Sequence, residues 1–136
     1  TESEWEYAAR NRGQTVTYPW GELSANCDRA NVNDCYGFTS PVCEFPAGNT
    51  RQGLCDMSGG IYEWMEDDYH PNYIGAPADG SAWVDSPRAE MRILRGGTWS
   101  AAAENATVYF RWGATAPNLL ALQGTSDSYG FRLARD

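Results

Sequence analysis

The first ten residues carry the hydrophobic spacing of a helix. Ala8 and Ala9 follow Trp5 at intervals of three and four residues, which places the three side chains on one helical face. Thr1 can cap the start of the helix, and Glu4, three residues later, completes the capping-box pattern. This segment is therefore predicted to form a helix.

Alternating positions predict strands further along the chain. Between Ile61 and Glu66 the side chains alternate with the period of two that a strand requires. One set is Ile61, Glu63 and Met65, and the other is Tyr62, Trp64 and Glu66. Further strands are predicted where β-branched, aromatic or other apolar residues cluster, at 91–94, 107–112 and 129–134. The polar or Gly- and Pro-rich stretches between them, of which 24–40 and 70–88 are the longest, predict loops.

Composition favours irregular structure with aromatic packing. Six Trp, eight Tyr and 14 Gly occur among 136 residues, which is unlike the composition of a helical bundle. The length suits one domain with its own core. One helix and several short strands, joined by long loops, predict a loop-rich α+β fold with short antiparallel strands and few helices.

The charge balance limits the partners. The formal net charge is −8, from 18 acidic and 10 basic residues, and the chain has no Lys. Nucleic acid is not expected as a partner, because phosphate backbones attract clustered Lys and Arg. Most of the acids are expected to be solvated, although some can serve as metal ligands. No apolar run approaches the ~20 residues that cross a bilayer, so no membrane span is expected.

The four cysteines are Cys27, Cys35, Cys43 and Cys55. An even number permits two disulfides, which can be paired in three ways. Zinc binding is an alternative, but the spacing lacks the C-x-x-C pattern typical of such sites. Disulfides are favoured, with free thiols as the second alternative. Paired cysteines would favour an oxidising compartment, extracellular or surface-exposed.

Six short motifs follow one another along the chain. They are Thr-Glu-Ser-Glu-Trp-Glu-Tyr-Ala-Ala-Arg at 1–10, Tyr-Pro-Trp-Gly at 18–21, Pro-Val at 41–42, Gly-Leu-Cys-Asp-Met-Ser-Gly-Gly-Ile-Tyr-Glu-Trp at 53–64, Arg-Gly-Gly-Thr-Trp at 95–99 and Gly-Phe-Arg at 130–132. In this order they resemble the formylglycine-generating enzyme (sulfatase-modifying factor) family. The resemblance implies a C-type-lectin-like fold over residues 1–136 as a single domain. It also implies that an N-terminal strand and helix, which many relatives place before the first helix, are missing from this sequence.

The resemblance further implies bound calcium at two sets of ligands. The first set would comprise the side chains of Asp56 and Glu63 with the carbonyls of Gly59 and Ile61. Ca²⁺ takes six to eight hard oxygen ligands, and glycine lets carbonyl groups converge on one point. Relatives usually carry Asn where this chain has Gly60. Alternatively, Asp56 caps a turn and Glu63 is a hydrogen-bonded strand residue.

The second calcium set implied by the resemblance lies in the polar loop after the first cysteine. It would comprise the side chains of Asn31 and Asp34 with the carbonyls of Val32 and Tyr36. The loop is shorter than in the family pattern, which makes this set the weaker match.

Catalytic members of the family carry two copper-binding cysteines shortly after the Arg-Gly-Gly motif. Counting along this chain places those positions at Ala101 and Ala106, whose methyl groups cannot bind a metal. No copper and no copper-dependent oxidation are therefore expected. His70 is the only histidine, which excludes an iron site built on several His ligands.

A pair of carboxylates is the remaining catalytic alternative. A glycosidase needs two acids that face each other across a cleft. The run that contains Glu63, Glu66, Asp67 and Asp68 offers such acids, although a solvated acidic edge more often explains such a run.

The chain resembles most the non-catalytic variable proteins of diversity-generating retroelements, in which the frame carries a hypervariable patch that binds ligands. Between Asn105 and Ser126 the only charged residue is Arg111, among aromatic, leucine and small residues. The implied ligand-binding positions are Ser100, Ala101, Ala102, Tyr109, Phe110, Trp112, Ala114, Thr115, Leu119, Leu120 and Leu122. The ligand is unidentified, and a protein surface is favoured because apolar contacts predominate.

A display patch requires outward-facing aromatic side chains. The predicted strand at 107–112 would place Val108, Phe110 and Trp112 on one face and Tyr109 and Arg111 on the other. We predict that Trp112 or Tyr109 is exposed to solvent. The alternatives are that Phe110 and the three leucines are plain core, that the chain is a family enzyme with altered chemistry, or that it is a structural domain of a larger protein.

Overall fold

The computed structural model of the chain describes residues 1–115 and 127–134. Helix α1 spans Glu2–Ala9, and two short 3-10 helices span Pro46–Gly48 and Ala103–Ala106. The four strands are β1 at Tyr62–Asp68, β2 at Met91–Arg95, β3 at Trp112–Thr115 and β4 at Tyr129–Gly130. Long irregular segments join these elements, so the predicted loop-rich α+β fold is confirmed.

The four strands form one sheet in the order β3-β2-β1-β4. Strands β1 and β2 are antiparallel, as are β2 and β3, whereas β4 runs parallel to β1. The sheet is therefore mixed and not purely antiparallel as expected. Glu63 lies opposite Arg95 in the β1–β2 pair and opposite Gly130 in the β1–β4 pair, which brings the three later motifs of the sequence together.

The capping box at the start of α1 forms as predicted. The Thr1 hydroxyl accepts a hydrogen bond from the Glu4 backbone N–H at 3.2 Å, and the Glu4 carboxylate accepts one from the terminal amine at 2.7 Å. Trp5 and Ala9 on the inner face of the helix are buried in the main apolar core. The other buried members of this core are Met57, Met65, Ile93 and Val108.

A second apolar cluster lies beneath the 3-10 helix at Ala103–Ala106. Its buried members are small or aromatic: Tyr18, Ala25, Ala30, Val32 and Ala106. The cluster joins the first half of the chain to the segment that follows the Arg-Gly-Gly motif. That segment is therefore supported by side chains that lie far from it in sequence.

Asp68 at the end of β1 organises the long loop that follows. Its carboxylate accepts hydrogen bonds from the backbone N–H groups of Asp85 (2.9 Å) and Ala89 (3.1 Å), and it pairs with Arg88 (3.0 Å) and Arg92 (2.8 Å). Burial alone would raise the pKa of Asp68, but these donors outweigh it and hold the pKa below its ordinary value. The loop that the sequence predicted at 70–88 is thus tied to the sheet.

Both predicted carboxy-terminal strands differ from those observed. Residues 107–111 were expected to be extended, but the Phe110 N–H donates to the Thr107 carbonyl in a turn, and β3 begins only at Trp112. The predicted pattern of faces was therefore wrong, since Val108 is buried while Trp112 is exposed. The predicted strand at 129–134 is only two residues long. Aromatic and β-branched residues are typical of strands, so the composition of these segments alone predicts strands. The turn at 107–110 depends on contacts with the core, which composition does not indicate.

All four cysteines are in disulfides, which link Cys27 to Cys35 and Cys43 to Cys55. The pairing joins cysteines that are neighbours in the sequence, and it leaves no thiol for zinc. Two disulfides favour an extracellular or otherwise oxidising environment. Among the described residues, no helix has both the length and the apolar character needed to cross a bilayer.

Candidate functional site

The segment Trp99–Thr115, here named the display segment, is held from inside by Arg95. The Arg95 side chain is completely buried, and its guanidinium donates hydrogen bonds to the carbonyls of Val108 (2.9 Å) and Phe110 (2.8 Å). The same group pairs with Glu6 of α1. A charged donor from the end of β2 thus fixes the backbone of the turn at 107–110 from beneath.

Two further contacts fix the middle of the display segment. The Ser58 hydroxyl donates to the carbonyl of Ala106 at 2.7 Å. Gly97 has φ of +80°, and a Cβ at this position would lie only 2.8 Å from the Asn105 carbonyl oxygen. Glycine is therefore required here both for its backbone conformation and for the close approach of two chain segments.

The outer surface of the display segment carries aromatic side chains. Tyr109 is 59% exposed and Trp112 is 53% exposed, so the prediction that one of them faces solvent is confirmed. Ser100 is exposed as well, whereas Ala101 is buried at 9% exposure and adds little to this surface. The half-buried predicted positions are Ala102, Phe110, Ala114 and Thr115. Leu119, Leu120 and Leu122 lie outside the described residues.

Arg111 connects the display segment to α1. Its guanidinium forms two hydrogen bonds with the Glu2 carboxylate, at 2.6 and 2.9 Å, and a third with the carbonyl of His70 at 2.9 Å. It also stacks over the ring of Tyr73 at 4.2 Å. Burial, with the Glu2 carboxylate nearby, raises the pKa of Tyr73 to about 12, so this phenol stays protonated. Arg111 is therefore a support between two exposed aromatics.

Ala101 and Ala106, where counting along the sequence places the family's catalytic cysteines, are both buried. Ala106 packs into the second apolar cluster. The acids weighed for a glycosidase are mostly occupied in the fold. Asp67 accepts from the backbone of Glu2 and Trp83, and Asp68 binds the arginines described above.

The first calcium set is occupied in part by the positively charged side chain of Arg132. The Glu63 carboxylate is 4% exposed and accepts hydrogen bonds from the Trp5 indole (2.8 Å) and from Arg132 (Nε, 2.6 Å). The Arg132 guanidinium also reaches the carbonyls of Cys55 (3.3 Å) and Asp56 (3.1 Å). Calcium at this set would have to share the Glu63 carboxylate with this guanidinium, so the set fits calcium poorly.

The second calcium set fits a cation better. Asn31 is 2% exposed, and its side-chain oxygen Oδ1 has no hydrogen-bond partner within residues 1–115 and 127–134. Its Nδ2 group donates to the Phe38 carbonyl at 2.9 Å, which fixes the orientation of the amide. Asn33 and Asp34 both have left-handed backbone conformations, with φ of +51° and +57°. A buried oxygen without a partner is costly, and a cation would satisfy it.

Within the described part of the chain, one other group of residues has the proximity of a metal site. It consists of Cys43, Cys55 and Asp56. Both sulfurs are in a disulfide, and one Asp56 oxygen accepts from the Cys43 backbone N–H at 2.7 Å. The Asp56 side chain therefore ties its turn to the segment at Cys43.

These features define a class of protein: a loop-rich α+β domain in which a buried arginine at the end of β2 supports an exposed segment. The Sulfatase-modifying factor enzyme 1-like domain matches residues 1–136. The chain therefore belongs to the formylglycine-generating enzyme (sulfatase-modifying factor) family, as its motifs predicted.

Several known proteins resemble this chain in sequence or in fold. The chain is 33% identical over 137 residues to the serine/threonine-protein kinase Pkn1 of Chlamydia trachomatis serovar L2, which covers all of this chain and 20% of that protein. The structure of PvdO from Pseudomonas aeruginosa matches with a TM-score of 0.80 and 34% identity, over 96% of this chain and 49% of PvdO. Treponema denticola variable protein 1 matches with a TM-score of 0.71 and 23% identity, over 96% of this chain and 44% of that one. The chain thus spans a fifth to one half of these proteins.

Sequence reasoning missed the contacts between the second calcium set and the display segment. The Asn33 N–H donates to the Ala101 carbonyl and the Asp34 N–H to the Trp99 carbonyl, each at 2.9 Å. Both are backbone bonds between residues more than 60 positions apart, and backbone groups have no sequence signal.

Proposed function

We propose that this chain is a non-catalytic ligand-binding module, of the kind found in the variable proteins of diversity-generating retroelements. The exposed side of the display segment would be the binding surface. The observation that carries the proposal is the exposure of Tyr109 and Trp112 on a backbone whose carbonyls are held by the buried Arg95. The likeness in fold to a variable protein of Treponema denticola supports it.

The side chains available favour a protein surface as the ligand. Tyr and Trp offer a large contact area with few rotatable bonds, and such residues dominate binding energies at protein interfaces. Arg111, the charged residue between them, is already paired with Glu2. The surface is therefore better suited to apolar and hydrogen-bonding contacts than to capture of a charged small molecule.

Photo-crosslinking tests this proposal directly. A photoreactive phenylalanine analogue replaces Tyr109, and the matched control replaces Tyr7, which is 56% exposed on α1. Each protein is irradiated with extracellular proteins from the source organism and its surroundings. We expect a defined adduct from position 109, several-fold stronger than from position 7 and lost in the Trp112→Ala variant. Equal labelling at both positions would contradict a binding surface on the display segment.

The retroelement part of the proposal has its own test. The genome of the source should carry a reverse transcriptase gene near this one. It should also carry a near-copy of the DNA for residues 98–128 that differs at adenines. A genome without these elements would leave a binding module but remove the mechanism of variation.

The absence of catalysis is proposed from two residues. Ala101 and Ala106 stand at the positions of the family's copper-binding cysteines, and a methyl group supplies neither a metal ligand nor an electron. Purified protein incubated with Cu(I) and a cysteine-containing sulfatase peptide should leave the peptide unchanged by mass spectrometry. Formation of formylglycine would show that the family's activity is retained and would overturn the proposed absence of catalysis.

Structural calcium is part of the proposal, with the second set as its site. There the unpartnered Asn31 oxygen, the Asp34 carboxylate and the carbonyls of Val32 and Tyr36 would hold the ion. Calcium would supply fixed positive charge and no redox chemistry. A ligand present at about 100 times its dissociation constant stabilises a fold by about 2.7 kcal/mol. Thorough chelation should therefore lower the melting temperature by several degrees, and Asp34→Asn should remove that response.

One observation favours a second candidate function, that of a structural domain in a larger protein. The Chlamydia kinase that resembles this chain is about five times as long as the matched region. In that case the display segment would contact other parts of the same polypeptide. Position 109 would then crosslink within one chain when the full-length protein is used, and no external partner would be captured.

A further inference from the structure

We propose that the loop Asn31–Asp34 controls the display segment, so that a divalent cation bound at this loop sets the shape of the ligand surface. The inference rests on the proposed function, because it concerns the regulation of that same surface. It goes beyond structural calcium by assigning a route from the ion to the binding residues. The route consists of backbone hydrogen bonds, and each step can be followed in the structure.

The first step joins the loop to the display segment directly. The Asn33 N–H donates to the Ala101 carbonyl, and the Asp34 N–H donates to the Trp99 carbonyl, each at 2.9 Å. Two consecutive amides of the loop thus bind carbonyls on either side of Ser100. The position of Ser100 on the surface therefore depends on the conformation of residues 33 and 34.

A second connection passes through Gly60. Its N–H donates to the Asn31 carbonyl at 2.9 Å, and its own carbonyl accepts from the Trp99 N–H at 2.8 Å. The neighbouring Gly59 approaches so closely that a Cβ there would lie 2.4 Å from the Asn31 carbonyl oxygen. Asn31 and Trp99 are therefore held at a fixed separation by one glycine.

The loop itself needs stabilisation from outside. Asn33 and Asp34 have φ of +51° and +57°, a region that Asn and Asp enter more readily than other non-glycine residues. The Oδ1 atom of Asn31 is buried without a partner in the described part of the chain. A cation that binds Asn31 Oδ1 and the Asp34 carboxylate would remove the cost of this unpartnered oxygen. Ion binding would then select the loop conformation that presents its amides to Trp99 and Ala101.

Amide hydrogen exchange of the full chain, oxidised and without ligand, tests this inference. The probe is Ca²⁺ alone, with Na⁺ at matched ionic strength as the reference. At a free concentration about ten times the dissociation constant, exchange at amides that open with the loop should slow about tenfold. We expect this protection at Asn33 and Asp34. We also expect it at Ala101 in the display segment, whose own N–H donates to the Thr98 carbonyl at 2.9 Å.

Two variants separate the coupling from general stabilisation. Asp34→Asn keeps the backbone donor and the side-chain shape but removes the ionic ligand, so calcium should protect neither segment. Asp28→Asn, an exposed acid in the same region, should keep the full response. The amides of α1, which lie outside the route, should respond less than those of the loop in the wild-type protein.

Each outcome decides the question. Protection of the loop together with residues 99–101, lost in Asp34→Asn, supports the inference. Protection of the loop alone overturns it, as does an absence of calcium response or a response that survives Asp34→Asn. The experiment uses no ligand, so its failure leaves the proposed binding function standing. A failure of crosslinking at position 109 would remove that function without altering the exchange result.

Discussion

The inner and outer sides of the display segment obey different constraints. On the inner side, Arg95, Ser58 and Gly97 fix carbonyl groups and chain separation, and each does so from a position outside the segment. On the outer side, Tyr109 and Trp112 are mostly exposed. The backbone shape of this surface is therefore determined elsewhere in the protein. This division between the two sides allows outward side chains to change without loss of the fold.

The largest effect is expected from Arg95→Ala. The substitution removes the donors to the carbonyls of Val108 and Phe110 and one of the two arginines that pair with Glu6, which keeps Arg10. A buried acceptor left without its donor typically costs about 1–3 kcal/mol, so the loss of both carbonyl contacts should cost about 3–5 kcal/mol. The free energy of unfolding from urea titration should fall by this amount. Arg12→Ala, at an exposed position, is the matched control and should cost less than ~0.5 kcal/mol. A loss below about 1 kcal/mol for Arg95→Ala would show that the support lies elsewhere.

The next effect concerns the disulfides, which stabilise the first half of the scaffold. Replacing both Cys27 and Cys35 by Ala should lower the free energy of unfolding by about 2–4 kcal/mol, because the unfolded chain regains the freedom of the loop. The Cys43 and Cys55 pair should behave similarly. Cys35 directly follows the loop that contacts Trp99. Replacement of Cys27 and Cys35 should therefore also speed amide hydrogen exchange at residues 99–101. If amide exchange at residues 99–101 is equal in the two double variants, the Cys27–Cys35 disulfide does not specifically support the display segment.

Asp68 predicts a dependence of stability on pH. Its folded pKa lies below the ordinary value of 3.8, so its full contribution is present above that value and is lost as the pH falls through the folded pKa. Asp68→Asn should cost about 2 kcal/mol at pH 7, because hydrogen bonds to a charged group are lost. It should also flatten the decline in stability below about pH 4. Glu90→Gln, at an exposed position, should leave that decline unchanged. An equally steep decline in Asp68→Asn would place the acid sensitivity in another carboxylate.

Sequence reasoning predicted the parts of the molecule that are fixed by local chemistry. The capping box of Thr1 and Glu4 and the alternation along β1 depend on neighbouring residues, and both are observed. The ordered motifs indicated the family, and the cysteine count favoured disulfides. Strand β2 was predicted at 91–94 and observed one residue longer.

The parts that sequence did not predict depend on distant contacts. The segment 107–111 has the composition of a strand but turns, because Arg95 holds its carbonyls from beneath. Arg132 pairs with Glu63 across the β1–β4 edge, and this contact changes the charge at the first calcium set. Neither spacing nor composition within one segment encodes such partners. The candidate site was therefore predicted as a list of residues, whereas its inner support was not.

The smallest effect is the sharpest test of the division, because it compares two adjacent residues. Val108 is completely buried in the main core, whereas Tyr109 is exposed. Val108→Ala removes two buried methyl groups from the core and leaves a cavity, which should cost on the order of 2 kcal/mol. Tyr109→Ala should change the free energy of unfolding by less than ~0.5 kcal/mol, although a tyrosine is the larger side chain. Both values come from urea titration under identical conditions. If Tyr109→Ala costs as much as Val108→Ala, the tyrosine supports the fold, and the outer side is not free to vary.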